Sequence, residues 1–258
     1  MWRGPVIERK RSLTNALKWK VFTIHAKLIA MAAQKWWDPD KNPTLFDAIE
    51  KAKKANVPND NIARAIKKWT GEDKSWAQIQ EIFYEWYWVG WVGIIAKTLT
   101  DNKNRTTSSV RHIFNKYGWN LWETWAVSSF WFKFMGVILV NLNWKKLEDI
   151  EEIIIESGAD DYSLEDENQV KIISEKQNMW NVLKFLKESG LEIAENSLEF
   201  IPQNFISITL FDKAAKIIKL IEDLEEDEDV EKVWHNYDIP DNLQLQVIEA
   251  MEKARFRT

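Results

Sequence analysis

Sixteen tryptophans stand against eight glycines in this 258-residue chain, and that inversion restricts how its backbone can turn. Glycine averages about 7% of a globular protein, and here it falls below half that share. Glycine enters the left-handed region of backbone space freely, whereas another residue held there costs roughly 1–3 kcal/mol. Two stretches, Tyr84–Trp91 and Tyr117–Trp125, carry three tryptophans each and read as tight loops between strands and helices. Several strained positions together would rival the whole stability of a domain, roughly 5–15 kcal/mol. Either these loops are unusual, or the residues at these positions are not tryptophan in the cell.

The apolar period divides the chain near residue 80. Before it the pattern is helical, with Ala16, Val21, Ile24, Leu28 and Met31 on one stripe, Leu45, Ala48, Ile49 and Ala52 on a second, and Ile62, Ala63 and Ile66 on a third. Asp38-Pro39-Asp40 and Asn42-Pro43 separate the first from the second, and Val57-Pro58-Asn59-Asp60 opens the third with an Asn or Asp cap. After it strands alternate with helices. Ile82–Trp86 and Val92–Leu99 read as strands, Asn104–Lys116 as a helix and Ala126–Phe134 as a strand. Then come strand Val137–Val140, helix Leu147–Glu156, strands Asp161–Leu164 and Gln169–Ile173, helix Met179–Glu188 and strand Glu192–Phe200, the ferredoxin-like order β-α-β-β-α-β. Strand Phe205–Leu210, helix Lys213–Leu224, strand Val230–Trp234 and a short helix Leu243–Ala254 complete the chain. The expected class is α+β: an N-terminal helical bundle plus two ferredoxin-like α/β domains, one inserted in the other. The expected bounds are 1–80 for the helical domain, 81–134 with 205–240 for the discontinuous outer domain, 135–204 for the inserted one and 241–258 for a tail.

Charge follows the same division. Residues 1–80 hold 16 Lys and Arg against 8 Asp and Glu, and the remainder holds 19 against 32. A basic head on an acidic body suits a polyanion as partner, and a well-solvated helical surface accounts for the charge equally. The acidic run Glu222–Glu231 reads as a solvated loop. No cysteine is present, which excludes disulfides, thiolate zinc and a cysteine nucleophile and fits an intracellular setting. No signal peptide is read, and Phe130–Trp144, the most apolar stretch, is too short and polar to span a bilayer.

The search for chemistry is mostly negative. His25, His112 and His235 are dispersed without ligand spacing, and no phosphate-binding, dinucleotide or nucleophile-elbow glycine motif occurs. No enzyme, metal, cofactor or small-molecule substrate is expected. Asp101 near Arg105 and Arg111 reads as a cap or an ion pair. Leu99–Phe114 leaves a strand, turns through Asp-Asn-Lys-Asn and enters a helix capped by Asn104 or Thr106. Its free N–H groups beside Lys103 and Arg105 suit phosphate, and a plain capped connection is the slightly favoured account of it.

At this point the sequence resembles the YebC/PmpR family, which includes the mitochondrial translational activator of cytochrome c oxidase. The resemblance runs through Lys20-Val21-Phe22-Thr23, Asp38–Pro43, Val57–Lys68, Tyr84-Glu85, Thr100–Thr106, Val110–Phe114 and Val230–Asp238, nearly the whole chain. It implies glycine where this chain has Trp19, Trp36, Trp37, Trp69, Trp86, Trp88, Trp91, Trp119, Trp122 and Trp125. Ten departures of one kind point to a gene in which UGA encodes glycine, read with a table in which it encodes tryptophan. Trp234 stands at an aromatic position of the family; Trp2, Trp76, Trp131, Trp144 and Trp180 stay undecided.

The resemblance also implies a cytoplasmic, non-enzymatic protein of three domains that binds nucleic acid. The helical domain supplies Arg9, Lys10, Arg11, Lys18, Lys20, Lys27, Lys53, Lys54, Arg64, Lys67 and Lys68 for a phosphate backbone, and Lys103, Arg105 and Arg111 form a second patch. The family's commoner description is a DNA-binding transcriptional regulator. No helix-turn-helix with base-reading residues is read from the sequence, and an acidic body facing away suits a ribosome-associated translation factor on RNA. A protein–protein adaptor is the third reading, and no membrane partner is expected.

Overall fold

The computed structural model describes residues 15–34, 36, 38–67, 79–88, 92–118 and 131–255. Helices α1 (Asn15–Ala33), α2 (Pro43–Lys54) and α3 (Asn59–Lys67) come first. Asn42 fixes how α2 begins. Its backbone is extended, its side-chain oxygen accepts from the Leu45 N–H at 3.1 Å, and Pro43 follows with φ already set for a helix. The Asn42 amide group, buried, donates to the carbonyls of Ala32 (2.9 Å) and Trp36 (2.6 Å), which ties the end of α1 to the start of α2. At the other end Asn56 takes φ +58, and Val57 N–H closes back on the Ala52 carbonyl at 3.0 Å. Ile29, Leu45, Ile49, Ala52 and Ile62 form the core of this bundle.

Strands β1 (Gln80–Trp88), β2 (Val92–Thr100) and β8 (Val230–His235) make an antiparallel sheet in the order β1-β2-β8. Helices α4 (Lys103–Lys116) and α7 (Phe211–Glu226) pack on it around Ile94, Phe114, Ile217 and Leu220. A two-residue parallel ladder joins β7 (Ile206–Ser207) to β9 (Tyr237–Asp238). Val247 of α8 (Asp241–Arg255) is buried in the same core, so the C-terminal helix is part of this packing rather than a loose tail.

Residues 131–205 form a separate compact unit, and the remaining described residues form the other. The separate unit runs β3 (Phe132–Asn141), α5 (Glu151–Glu156), β4 (Asp161–Asp166), β5 (Gln169–Glu175), α6 (Met179–Glu188) and β6 (Glu192–Pro202). Its sheet order is β4-β5-β3-β6 with every neighbour antiparallel. Ile138, Val140, Ile154, Ile172 and Leu183 fill the space beneath its helices. Gly136 of β3 lies so close to α6 that a Cβ there would fall 2.6 Å from Met179 Cβ.

The chain is α+β, with N-terminal helices followed by sheets, as its periodicity indicates. Several finer expectations need correction. Tyr84–Trp88 belongs to β1 and not to a loop. The two strands expected at Ala126–Phe134 and Val137–Val140 are, from Phe132, one continuous strand; residues 126–130 lie outside the described residues. An unbroken β-rich run gives no internal signal of where a strand starts. Of Phe205–Leu210 only Ile206 and Ser207 join a ladder. The acidic run is not a solvated loop: Glu222–Glu226 is the end of α7, and Val230 and Glu231 open β8. Helix propensity of Glu and Leu carries the helix through the charge run. Of Tyr117–Trp125, Tyr117 and Gly118 form a turn with Gly118 at φ +76, and the rest lies outside the described residues.

Candidate nucleic-acid interface

The cations of the helical module occupy two different settings. On α2 and α3 they point outward. Lys53, Lys54, Arg64 and Lys67 are exposed, in the last turns of helices whose C-terminal dipoles favour positive charge. Lys53 meets Glu50 at 2.9 Å and Lys51 meets Asp47 at 3.0 Å, both one turn away on the surface. Arg64 donates to the Asp60 carbonyl at 3.2 Å and to the Asn61 side-chain oxygen. The four residues Ala55–Pro58 link α2 to α3, so the pair has the helix–turn–helix connection length that the sequence reading did not pick out.

On α1 two of the cations, Lys20 and Lys27, turn to the acidic segment instead. Lys18 is exposed, but Lys20 donates to the Glu225 carbonyl, and Lys27 donates to the Glu228 carbonyl (3.1 Å) and the Asp229 carboxylate (2.6 Å). Burial holds the Lys20 ammonium below its ordinary pKa, against the opposing pull of Asp227 and Glu225. The expectation of an acidic body turned away from the basic head therefore fails at α1, two of whose lysines lie on the acidic segment.

Asp229 is the centre of this seam, with a side chain 4% exposed. Besides Lys27, its carboxylate accepts from Arg105 Nη2 at 2.9 Å and from the Thr106 hydroxyl at 2.7 Å. Its backbone carbonyl accepts from Leu99 N–H at 2.8 Å. Burial alone would raise its pKa, but hydrogen bonds from Lys27, Thr106 and Arg105 outweigh that and hold it below the usual carboxylate range. Arg105 also pairs with Asp101 at 2.9 Å, which settles Asp101 as an ion-pair partner. The cap of α4 is Asn102, whose side chain accepts from Arg105 N–H at 3.1 Å; it is neither Asn104 nor Thr106. Thr106 is buried in the seam instead.

Other acids of the run are also engaged. Ser109 donates to Asp227, and Lys116 (2.7 Å) and Tyr117 (2.9 Å) both donate to Asp223. Lys97 bridges Glu81 and Glu231 at 2.8 and 2.9 Å. Lys103 and Arg111 are exposed on α4. Arg9, Lys10, Arg11 and Lys68 lie outside the described residues. The surface that faces outward is thus Lys18, Lys53, Lys54, Arg64 and Lys67, with Lys103 and Arg111 on α4. Sequence reasoning missed Asp229 and the bonds that Thr100 and Thr106 make to it, because these pairs are more than a hundred residues apart and no local spacing marks them.

Among the described residues no group of three or more His, Cys, Asp or Glu is placed to hold a metal ion, and no helix is long and apolar enough to cross a membrane. The family model of the TACO1/YebC N-terminal domain matches residues 5–72, and that of the TACO1/YebC second and third domains matches residues 79–237. A probable transcriptional regulatory protein of Sulfurihydrogenibium sp. is 40% identical over 92% of this chain and 94% of its own length. One from Persephonella marina is 41% identical over 93% and 96%. The crystal structure of a conserved hypothetical protein, Aq1575 from Aquifex aeolicus, superposes with a TM-score of 0.80 at 36% identity, covering 93% of this chain and 98% of that one. The α+β arrangement with N-terminal helices is thus shared with a solved structure, and the chain belongs to the TACO1/YebC family.

Proposed function

We propose that the chain is a regulator of gene expression that binds nucleic acid, with duplex DNA as its target and the helical module as its grip. The observation that carries this reading is the α2–turn–α3 pair, which presents Lys53, Lys54, Arg64 and Lys67 to solvent. Cations on such a pair neutralise phosphates while the second helix lies along a groove. The relatives' description as probable transcriptional regulatory proteins supports the same reading. It assigns no catalytic residue, cofactor or small-molecule substrate, and a cytoplasmic setting. The layout it uses is a helical head, an outer α/β domain that includes α8, and an inner ferredoxin-like domain inserted between β2–α4 and β7. Sheet order β4-β5-β3-β6 supports the inner assignment.

Fluorescence anisotropy of the whole protein on a mixed-sequence duplex tests this, beside ribosome co-sedimentation with a high-salt wash. The expected result is salt-sensitive duplex binding that weakens in Arg64→Glu/Lys67→Glu while the circular dichroism spectrum is unchanged. Ribosome association without duplex binding at moderate salt would replace DNA by RNA. Binding indifferent to the charge reversal would remove the helical face from the contact.

We also propose that tryptophans of this chain are glycines in the cell, and the structure supplies an argument at Trp144. Lys145 N–H donates to the Leu142 carbonyl at 2.9 Å, with Asn143 at φ +45 and Trp144 at φ +63 between them. Positive φ at both central residues defines a type I′ turn, whose preferred pair is Asn-Gly. The Trp144 side chain is 93% exposed, so no packing offsets the strain. Trp19 in α1 and Trp86 and Trp88 in β1 lack this argument, because helix and strand do not require positive φ. Trp86 is buried, its ring centroid 3.7 Å from that of Phe114 and its indole N–H without a hydrogen-bond partner. Trp144→Gly is expected to stabilise the protein by about 1–2 kcal/mol in urea unfolding, the cost of a left-handed non-glycine residue. An intact mass of the native protein equal to that of a chain with all sixteen tryptophans would end the recoding proposal.

A further inference from the structure

The joint between α1 and the outer sheet is built unlike the cores on either side. Among the described residues the bundle buries nine apolar residues of its own, and the outer domain seventeen. The joint itself buries Ala30, Ile79 and Leu99. Its other half is polar: Lys20 on the Glu225 carbonyl, and Lys27 on the Glu228 carbonyl and the Asp229 carboxylate. Lys20 and Lys27 are seven residues apart, two helical turns, and so share one stripe of α1.

We propose that this stripe of α1 is a second phosphate-binding surface, held shut by the acidic turn between α7 and β8 until a nucleic-acid backbone competes for Lys20 and Lys27. It rests on the nucleic-acid reading above. The end of α7 and the turn after it offer the two ammonium groups what a phosphodiester backbone offers: oxygen acceptors along a chain, one of them fully charged. Exchange leaves no carboxylate bare, because Arg105 and Thr106 stay on Asp229 when Lys27 departs. An orphaned buried carboxylate would have forbidden the opening.

The native chain has no cysteine, so thiols can be placed singly. Thr23 and Glu228 line the same cleft beside Lys27 and Asp229, and Thr23→Cys/Glu228→Cys joined by a short bis-maleimide locks the joint. On a mixed-sequence 20-base-pair duplex, the locked protein is expected to bind with a log–log salt slope smaller by about 1.8 than the unlinked double variant, two lysine–phosphate contacts at about 0.9 each. Equal slopes and affinities in the two forms would overturn the proposal while leaving duplex binding through α2 and α3 intact. Absence of binding in both forms would overturn the nucleic-acid reading and this proposal with it. A second variant reads the opening without a cross-link. Ala30→Cys puts a thiol in the buried joint, where maleimide labelling of the whole protein is expected to accelerate when the duplex is added. A labelling rate that the duplex leaves unchanged or slows would likewise overturn the proposal.

Discussion

Lys27 and Lys53 belong to the same basic head, yet their surroundings give them different work. The Lys27 side chain is 12% exposed and meets a carboxylate that is 4% exposed; Lys53 is 54% exposed and meets one that is 44% exposed. Breaking a buried pair by deleting one partner leaves an uncompensated charge, whereas an exposed pair is screened by water and salt. The seam under α1 is therefore a structural joint that also carries charge, and the outer faces of α2 and α3 are charge with little structural duty. A net excess of cations in the head does not separate the two kinds; burial of the partner does.

The sharpest way to break this comparison is to delete one acid from each region. Asp229→Ala removes the acceptor shared by Lys27, Arg105 and Thr106, and by the buried-pair rule is expected to cost about 3–5 kcal/mol in urea unfolding. Glu50→Ala removes the surface acceptor of Lys53 and is expected to cost about 0–1 kcal/mol. Equal costs would mean that the seam is no more a joint than the surface is.

The same contrast explains what was legible in the sequence. Helical stripes such as Leu45, Ile49 and Ala52 announce themselves because burial imposes the 3.6-residue period on neighbours along the chain. The β-α-β-β-α-β run was legible because its turns, at Gly158 and Gly190 with φ +77 and +76, fall where the periods change. Asp229 was not legible. It sits in a run of acids, and what distinguishes it from Glu226 or Asp227 is the arrival of Lys27 and Arg105 from distant helices. The basic face was legible as composition but not as orientation, since Lys20 and Lys53 look alike until α1 docks on β2 and the acidic turn. Positions such as Trp144 were legible only as an imbalance between residue types. The dihedral angles supply the reason that a glycine is wanted there.

A smaller effect comes from pH. Asp229 has a folded pKa below its ordinary value of 3.8, through hydrogen bonds from Lys27, Thr106 and Arg105 that outweigh burial. A depressed carboxylate pKa contributes stability that is present above the unfolded pKa and is lost as pH falls through the folded one. Stability is therefore expected to be constant with respect to this group near neutrality and to fall as the pH drops below about 4. Asp229→Asn, which keeps the shape and cannot titrate, should be less stable at neutral pH and should lose less on acidification. Parallel stability curves for the two proteins between pH 6 and the acid limb would show that the seam's charge is not coupled to folding.

The smallest structural effect is expected on the outer face, and there the useful readout is binding. Lys67 ends α3 and is exposed, so Lys67→Ala removes a charge without opening a cavity. Surface substitutions of this kind change stability by about 0.5 kcal/mol or less, and the melting temperature should hold. Removing one phosphate contact should reduce the log–log salt slope of duplex binding by about 0.9 while weakening all sequences alike, because a lysine on phosphate reads no base. Lys27→Ala is expected to move both readouts. It removes a contact of the joint, so unfolding free energy should fall more than in Lys67→Ala, and it removes one contact of the α1 stripe, so the salt slope should fall by about 0.9 as well. If Lys67→Ala moved stability as much as Lys27→Ala, the division of the basic head into a joint and a grip would collapse, since both helices would then be using their cations for the same purpose.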